Sequence, residues 1–265
     1  MARRRVYQVS KIASCIGINP YEETCDALES IWIKENKASY YTAVNACKPA
    51  ESLASKRKTL WQALKSDEAT SLKQIQHSNA PVHEKVTHIE AVPQGTLTAA
   101  EHTELVKHLK SNVSTSHGVA RESSAMDIYI EHSGESVKRG GALITHTHKD
   151  QFNIRGKVDG LTDQNKIVEI KNRTRRFFHQ VVGYEYCQVQ FYMMMHNSTR
   201  CDLVECFHGA IQTHPIEYDA EYTQIALEKL ERFDNILSFL QNDTCAQHEY
   251  FNAPSRNNYI LNSLT

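Results

Sequence analysis

The stretch FNIRGKVDGLTDQNKIVEIKN, residues 152–172, decides the fold. It holds two extended runs, 152–160 and 166–172, joined by a polar turn from Leu161 to Asn165. In the second run Val168 and Ile170 alternate with Glu169 and Lys171, the period of two expected of a strand with one apolar and one polar face. Asp159 stands just before Gly160, ten residues ahead of Glu169. A hairpin of this length brings Asp159 beside the polar face, so two carboxylates and an ammonium converge on strands backed by aliphatic side chains. Paired carboxylates repel unless a cation lies between them, and hard oxygen ligands suit Mg²⁺ or Mn²⁺. A neighbouring lysine positions or deprotonates a water, or offsets charge developing on phosphorus. The combination fits metal-assisted attack of water on a phosphodiester. A surface salt-bridge hairpin has the same residues, and on these features alone both readings stand. A second E-x-K triplet, Glu35-Asn36-Lys37, lacks the upstream aspartate and glycine and reads as a solvated helix face.

Working outward, residues 117–132 read as a helix, followed by the Gly140-Gly141 break and a strand-like run at 142–148. After the hairpin, 180–196 reads as a helix in which Tyr184, Cys187, Phe191, Met194 and Met195 repeat at core spacing. Strands at 201–208 and 211–218 precede a closing amphipathic helix at 220–241. Helix, three strands, helix and strand make a mixed α/β core, with further helices on either side. Upstream, 9–17 is a short helix stopped by Gly17 and the Asn19-Pro20 turn, and 23–46 is a longer helical stretch. The region 49–117 is polar and helix-leaning, with breaks at Ala80-Pro81 and at Val92-Pro93-Gln94-Gly95, and reads as an elaboration around the core. On the helix 117–132, Glu122 shares an apolar stripe with Val119, Ala125, Met126 and Tyr129. A lone carboxylate there is costly to bury, so its partner is either a metal or an arginine.

The 265 residues carry 30 Lys plus Arg against 31 Asp plus Glu, a net charge of −1, which excludes a polycation that coats nucleic acid without a local patch. No apolar run reaches the roughly 20 residues a membrane-spanning helix needs, and the basic start MARRRVYQVSKIA lacks an apolar signal core. Seven cysteines, an odd number without a C-x-x-C pair, point to reduced thiols in an intracellular, cytoplasmic or host nuclear, protein that is not secreted. His146-Thr147-His148 puts two imidazoles on one strand face, but no third zinc ligand has matching spacing. Ser10, opening a short helix beside Arg3, Arg4 and Arg5, makes either an anion site or a plain N-cap next to a charged terminus. Arg173, Arg175 and Arg176 either follow a phosphate backbone or form a solvated turn.

GKVDG, the ten-residue spacing and E-I-K together resemble the PD-(D/E)xK nuclease signature, with Val158-Asp159 in place of Pro-Asp. Three more segments narrow the resemblance to the lambda-exonuclease, or YqaJ-type viral recombinase, family. SKIASCIGINPY resembles its N-terminal box, HGVARESSAMDIY its G-x-x-x-E-x-x-A helix, and YEYCQVQFYM its Y-x-x-Q-V-Q-x-x-M helix. All occur in the family's order, within residues 3–20 and 117–207; the segment 24–116 matches no part of it.

The resemblance implies a restriction-endonuclease-like core, a mixed central sheet flanked by helices, in a single nuclease domain over 1–265. Its parts are a catalytic core at about 117–242, a phosphate-binding box at 3–20 and an added helical region at about 24–116. It implies Asp159, Glu169, Glu122 and the Ile170 carbonyl as ligands of Mg²⁺, with Mn²⁺ substituting, and Lys171 as the residue that orients or activates water. Gln188 and Gln190 match the Q-V-Q pair beside the active site. Ser10 matches the serine of a 5′-phosphate pocket, paired with Arg3 or equally Arg4 or Arg5. The implied activity is 5′-to-3′ exonuclease digestion of duplex DNA in recombination or viral genome processing. Alternatives are an endonuclease or single-strand-specific exonuclease of the same superfamily, or a non-catalytic DNA-binding recombination module. DNA, a homotrimer and a single-strand annealing protein are the implied partners.

Overall fold

Residues 152–160 form not one strand but two, Phe152–Gly156 (β4) and Gly160–Thr162 (β5), in different sheets. The computed structural model describes residues 4–49, 52–63, 72, 74, 75, 78, 80, 82–92, 94 and 97–265. In it β4 is the centre of a three-stranded sheet, parallel to Arg5–Gln8 (β1) and antiparallel to Ile144–His148 (β3). β5 lies in a five-stranded sheet between Val137–Arg139 (β2) and Ile167–Asn172 (β6), and Arg200–Phe207 (β7) and Ala210–Glu217 (β8) follow in order. There β6 and β7 run parallel and the other neighbours antiparallel. The mixed α/β class is as expected, with two mixed sheets in place of one.

The break has a local cause. At 157–159 the chain pairs with the diglycine turn: Gly140 donates its N–H to the Asp159 carbonyl at 2.7 Å and Gly141 to that of Val158 at 3.1 Å. Val158 is fully buried and anchors the crossing. At Gly156, a Cβ would lie 2.6 Å from the Tyr192 ring and 2.7 Å from Val9, so only glycine lets the strand pass beneath both.

Val9–Cys15 (α1) matches the expected short helix. The expected helix 23–46 is two, Thr24–Glu35 (α2) and Lys37–Cys47 (α3), because Asn36 accepts the Ser39 N–H at 3.0 Å and restarts the chain as an N-cap. Glu35, Asn36 and Lys37 are exposed as expected, with Glu35 accepting from Arg5 at 2.8 Å and Gln241 at 3.0 Å at the surface. Leu53–Ala63 (α4) and Val82–Glu90 (α5) precede Ala99–Ser133 (α6), a 35-residue helix opened by a Thr98/Glu101 capping box and closed by Gly134 in the left-handed region. The change of texture at His117 is therefore no element boundary. Gly183–His196 (α7) and Ala220–Asn242 (α8) match expectation, while Thr244–Asn252 (α9) and Arg256–Leu264 (α10) were not foreseen. These last two close over α2 at Glu29, whose buried carboxylate accepts from Tyr250 (2.9 Å), Arg256 (2.7 Å), the Leu53 amide (3.0 Å) and Tyr40.

The five-stranded sheet separates two apolar layers. On one face Ala125, Met126 and Tyr129 of α6 pack on Val168, Ile170, Val204 and Cys206. On the other, Ile167, Cys201 and Leu203 join the main core with α1, α2, α7 and α8. A smaller cluster of Leu72, Ile89, Leu105, Leu109 and Val113 lies within the added helical region. All seven cysteines are free, and among the described residues no helix is long and apolar enough to cross a membrane.

Candidate active site

β5 pairs with β6 only through Gly160 and Leu161, opposite Val168 and Ile167. Past that point the edge of β6 is open, and the Ile170 amide donates to Asp159 Oδ2 at 2.7 Å instead of to a strand. The alternation along β6 places Val168 and Ile170 under α6 and turns Glu169 and Lys171 toward α7. There Lys171 Nζ donates to Glu169 Oε1 and Gln188 Oε1, both at 2.8 Å, and Gln188 Nε2 donates to Glu169 Oε1 at 2.9 Å.

Glu122 arrives from the opposite layer. α6 crosses close over Gly160, where a Cβ would come within 2.8 Å of Met126 and 2.6 Å of Val137. One turn back along α6, Glu122 lies close enough to the Asp159 carboxyl to raise it. Among the described residues no arginine pairs with Glu122, and the group beside it is another carboxyl. The Val119 side chain lies outside the described residues.

The electrostatics follow from this crowding. Burial, then the Glu169 charge, then Glu122 push the Asp159 carboxyl up to about 9, against the opposing Ile170 amide. Burial also raises Glu169, although Lys171 partly offsets it. Burial alone would lower Lys171; Glu169 and Glu185 outweigh it and hold the amine above its ordinary value, as a charged ammonium. One oxygen, Glu169 Oε2, is buried with no hydrogen-bond partner at all. A buried carboxylate oxygen without a partner, in the field of two further carboxyls, fits a hard divalent cation, which would relieve the mutual repulsion. The Glu122, Asp159 and Glu169 carboxyls influence one another electrostatically, but they do not each bring an oxygen within 4.8 Å of the other two. Among the described residues the one trio of Asp, Glu, His or Cys ligand atoms all within 4.8 Å is Glu23, Cys25 and Asp26, where Lys56 already stands 3.7–3.8 Å from the carboxylates.

Several expected site residues sit elsewhere. Gln190 faces away from the carboxyls: Nε2 donates to the Glu217 carbonyl at 2.9 Å and Oε1 accepts from the Asp219 amide at 2.8 Å, tying α7 to the loop before α8. It is a structural residue because it lies two positions from Gln188, about 200° round a helix. Arg5 is not free for phosphate, since Glu35 and Asp234 (2.6 Å), Gln241 and Ser238 hold its guanidinium between α2 and α8. Arg173 is likewise consumed, clamped by Glu185 (2.6 and 2.9 Å) and Glu205 (2.5 Å) with its guanidinium over the Phe178 ring at 3.9 Å. Arg3 lies outside the described residues, and Arg4 pairs with Asp150 at 2.6 Å.

Ser10 is exposed, in the second position of α1; Gln8 is the N-cap and supplies no side-chain bond. The turn nonetheless borders the site, because Val9 packs at Gly156 against Tyr192. Arg175 and Arg176 are exposed, Arg175 reaching Glu90 at 3.9 Å. His148 is engaged by Glu231 at 2.5 Å.

Sequence reasoning missed Tyr192 and Glu185. Tyr192 Oη accepts from Gln188 Nε2 at 3.3 Å, and the i, i+4 spacing of Gln188 and Tyr192 on one helix face was the available signal. Glu185 left none, since only the folded chain brings it to Arg173.

No family model and no curated protein matches the sequence. Among solved structures, the chain is similar to an alkaline exonuclease from Laribacter hongkongensis at 18% identity and a TM-score of 0.44, covering 70% of this chain and 94% of that one. It is also similar to a phage-related exonuclease from Haemophilus somnus 129PT at 12% identity and a TM-score of 0.42, covering 94% of each chain.

Proposed function

We propose that the chain is a Mg²⁺-dependent deoxyribonuclease, active also with Mn²⁺, that hydrolyses phosphodiesters of duplex DNA as a 5′-to-3′ exonuclease. The observation that carries this is the unpartnered, buried Glu169 Oε2 beside Asp159 and Glu122, with the Lys171 ammonium fixed at the same spot. Asp159, Glu169 and Glu122 would hold the ion, the Ile170 carbonyl adding a neutral oxygen. The ion supplies Lewis-acid stabilisation of the phosphoryl oxygens and a more acidic water. Gln188 keeps Lys171 at one position by accepting from Nζ, so the ammonium orients the attacking water and offsets charge on the phosphate. The resemblance of four sequence segments to the lambda-exonuclease family supports the exonuclease direction, a homotrimer and an annealing partner as parts of the same proposal.

The test is digestion of end-labelled linear duplex, with and without a 5′-phosphate, and of a closed circle. Linear DNA is shortened in Mg²⁺ and not in EDTA, faster with the phosphate, and the circle survives. Asp159→Ala lowers the rate by about 100-fold or more, roughly 3 kcal/mol of barrier. Unchanged activity in that variant refutes the assignment, and a cut circle means an endonuclease.

A further inference from the structure

Tyr21 is a large ring left 62% exposed, yet its backbone is firmly held. The Ile18 and Asn19 amides donate to the Ala13 carbonyl at 2.9 and 3.2 Å, and Asn19 Oδ1 accepts the Tyr21 N–H at 3.0 Å. Asn19 Nδ2 donates to Ser14 Oγ at 2.9 Å, and Ser14 in turn donates to Glu22 at 2.6 Å. A pinned turn therefore displays a ring that the core does not use. That ring meets Tyr184 edge-on, with centroids 5.7 Å apart and planes at 83°.

Tyr184 is one turn of α7 before Gln188, on the same face. One turn is about 5.4 Å, so Tyr184 stands one turn from the residue that bonds Glu169, with Tyr21 beyond it. α1 packs along α7, with Val9 near Tyr192 and the turn after α1 at Tyr184, so the two helices run antiparallel and flank Gln188 with aromatic rings on both sides.

We propose that Tyr21, braced by Tyr184, is a stacking platform for one unpaired nucleobase of the DNA strand whose phosphodiester lies at Glu169 and Lys171. This rests on the nuclease reading. Any base has a π-face, so the contact tolerates every sequence, as a general nuclease requires. A base on Tyr21 has left the duplex stack, so the platform accepts a frayed or single-stranded end. The rigid turn means that no loop ordering opposes the contact.

The experiment uses single-stranded oligonucleotides carrying 2-aminopurine at one end or the other, mixed with the full chain in EDTA so that nothing is cut. The wild type quenches the fluorescence of one of them. Tyr21→Ala loses the quench and binds roughly tenfold more weakly, the loss of one base–aromatic stack. Tyr21→Phe retains both. Phe239→Ala, which removes a 56% exposed ring on α8, changes neither. Equal urea midpoints for all four proteins show that folding is intact. Quenching by Tyr21→Ala at the wild-type level, absence of quenching by the wild type, or equal loss in Phe239→Ala overturns the platform. Cleavage of end-labelled linear duplex by the wild type in Mg²⁺ is read separately. If cleavage occurs but the quench ignores Tyr21, the nuclease reading survives and the platform falls; if the quench needs Tyr21 but Mg²⁺ brings no cleavage, the nuclease reading falls and Tyr21 is left as a nucleobase contact that serves no cut strand.

Discussion

Asp159 joins structural cost to chemical use in one side chain. Without a cation, its charge is opposed by burial, by Glu169 and by Glu122. Asp159→Asn keeps an acceptor for the Ile170 amide while removing that conflict. We expect the cation-free variant to unfold at a higher urea concentration, a gain of about 1 kcal/mol, and to lose DNA cleavage. Equilibrium unfolding and an initial-rate assay on one preparation check both halves. Glu205 behaves in the opposite sense. Burial on its own raises its carboxyl, but the Phe178 amide, His214 and Arg173 outweigh it and hold it below the ordinary range. Its contribution to stability is thus complete above about 4.5, the unfolded value, and declines as pH falls through the lower folded value. Urea midpoints measured from pH 6 to pH 3 should fall with acid in the wild type, and less steeply in Glu205→Gln.

Among the elements, the packing of α1 and α7 on β4 controls the distance between the N-terminal turn and the carboxyl cluster. Gly156→Ala puts a methyl into the Tyr192 ring and Val9 together, and separating them moves both helices. A loss of roughly 1–3 kcal/mol is expected, with cleavage slowed because Tyr192 and Gln188 shift with α7. Gly183→Ala, on the same helix but with nothing within 4 Å of the new methyl, should leave the urea midpoint within about 0.5 kcal/mol of wild type. Equal effects of the two substitutions would contradict this account. The clamp of Arg173 on Glu185 and Glu205 belongs here too, since it joins the end of β6, the first turn of α7 and β7. An arginine that sequence reasoning aimed at DNA instead holds three elements together.

For the molecule as a whole, the carboxyl cluster couples folding to the cation. An ion that binds the native state and not the unfolded chain raises stability by about 1.4 kcal/mol at tenfold its dissociation constant. Thermal melts should therefore shift upward with added Mg²⁺ in the wild type and hardly at all in Asp159→Asn. Equal shifts in both proteins would place the ion elsewhere, for instance at Glu23 and Asp26.

The alternation of Val168, Glu169, Ile170 and Lys171 was enough to read off β6 and the direction each side chain takes, because period-two geometry is local. Helical spacing likewise placed Glu122 on the buried stripe of its helix, and the Asn19-Pro20 turn marked where the chain leaves α1. Contacts between distant segments carry no such local signature. The division of 152–160 between two sheets depends on the Gly140-Gly141 turn meeting Val158 and Asp159, and β1 exists because Arg5–Gln8 finds β4 about 147 residues away. The fates of Arg5, Arg173 and Gln190 were settled by partners from other elements, since a charged or amide side chain takes whatever satisfies it at close range once water is excluded. Residue order thus determined which groups the chemistry has available, and packing determined which of them are left free to perform it.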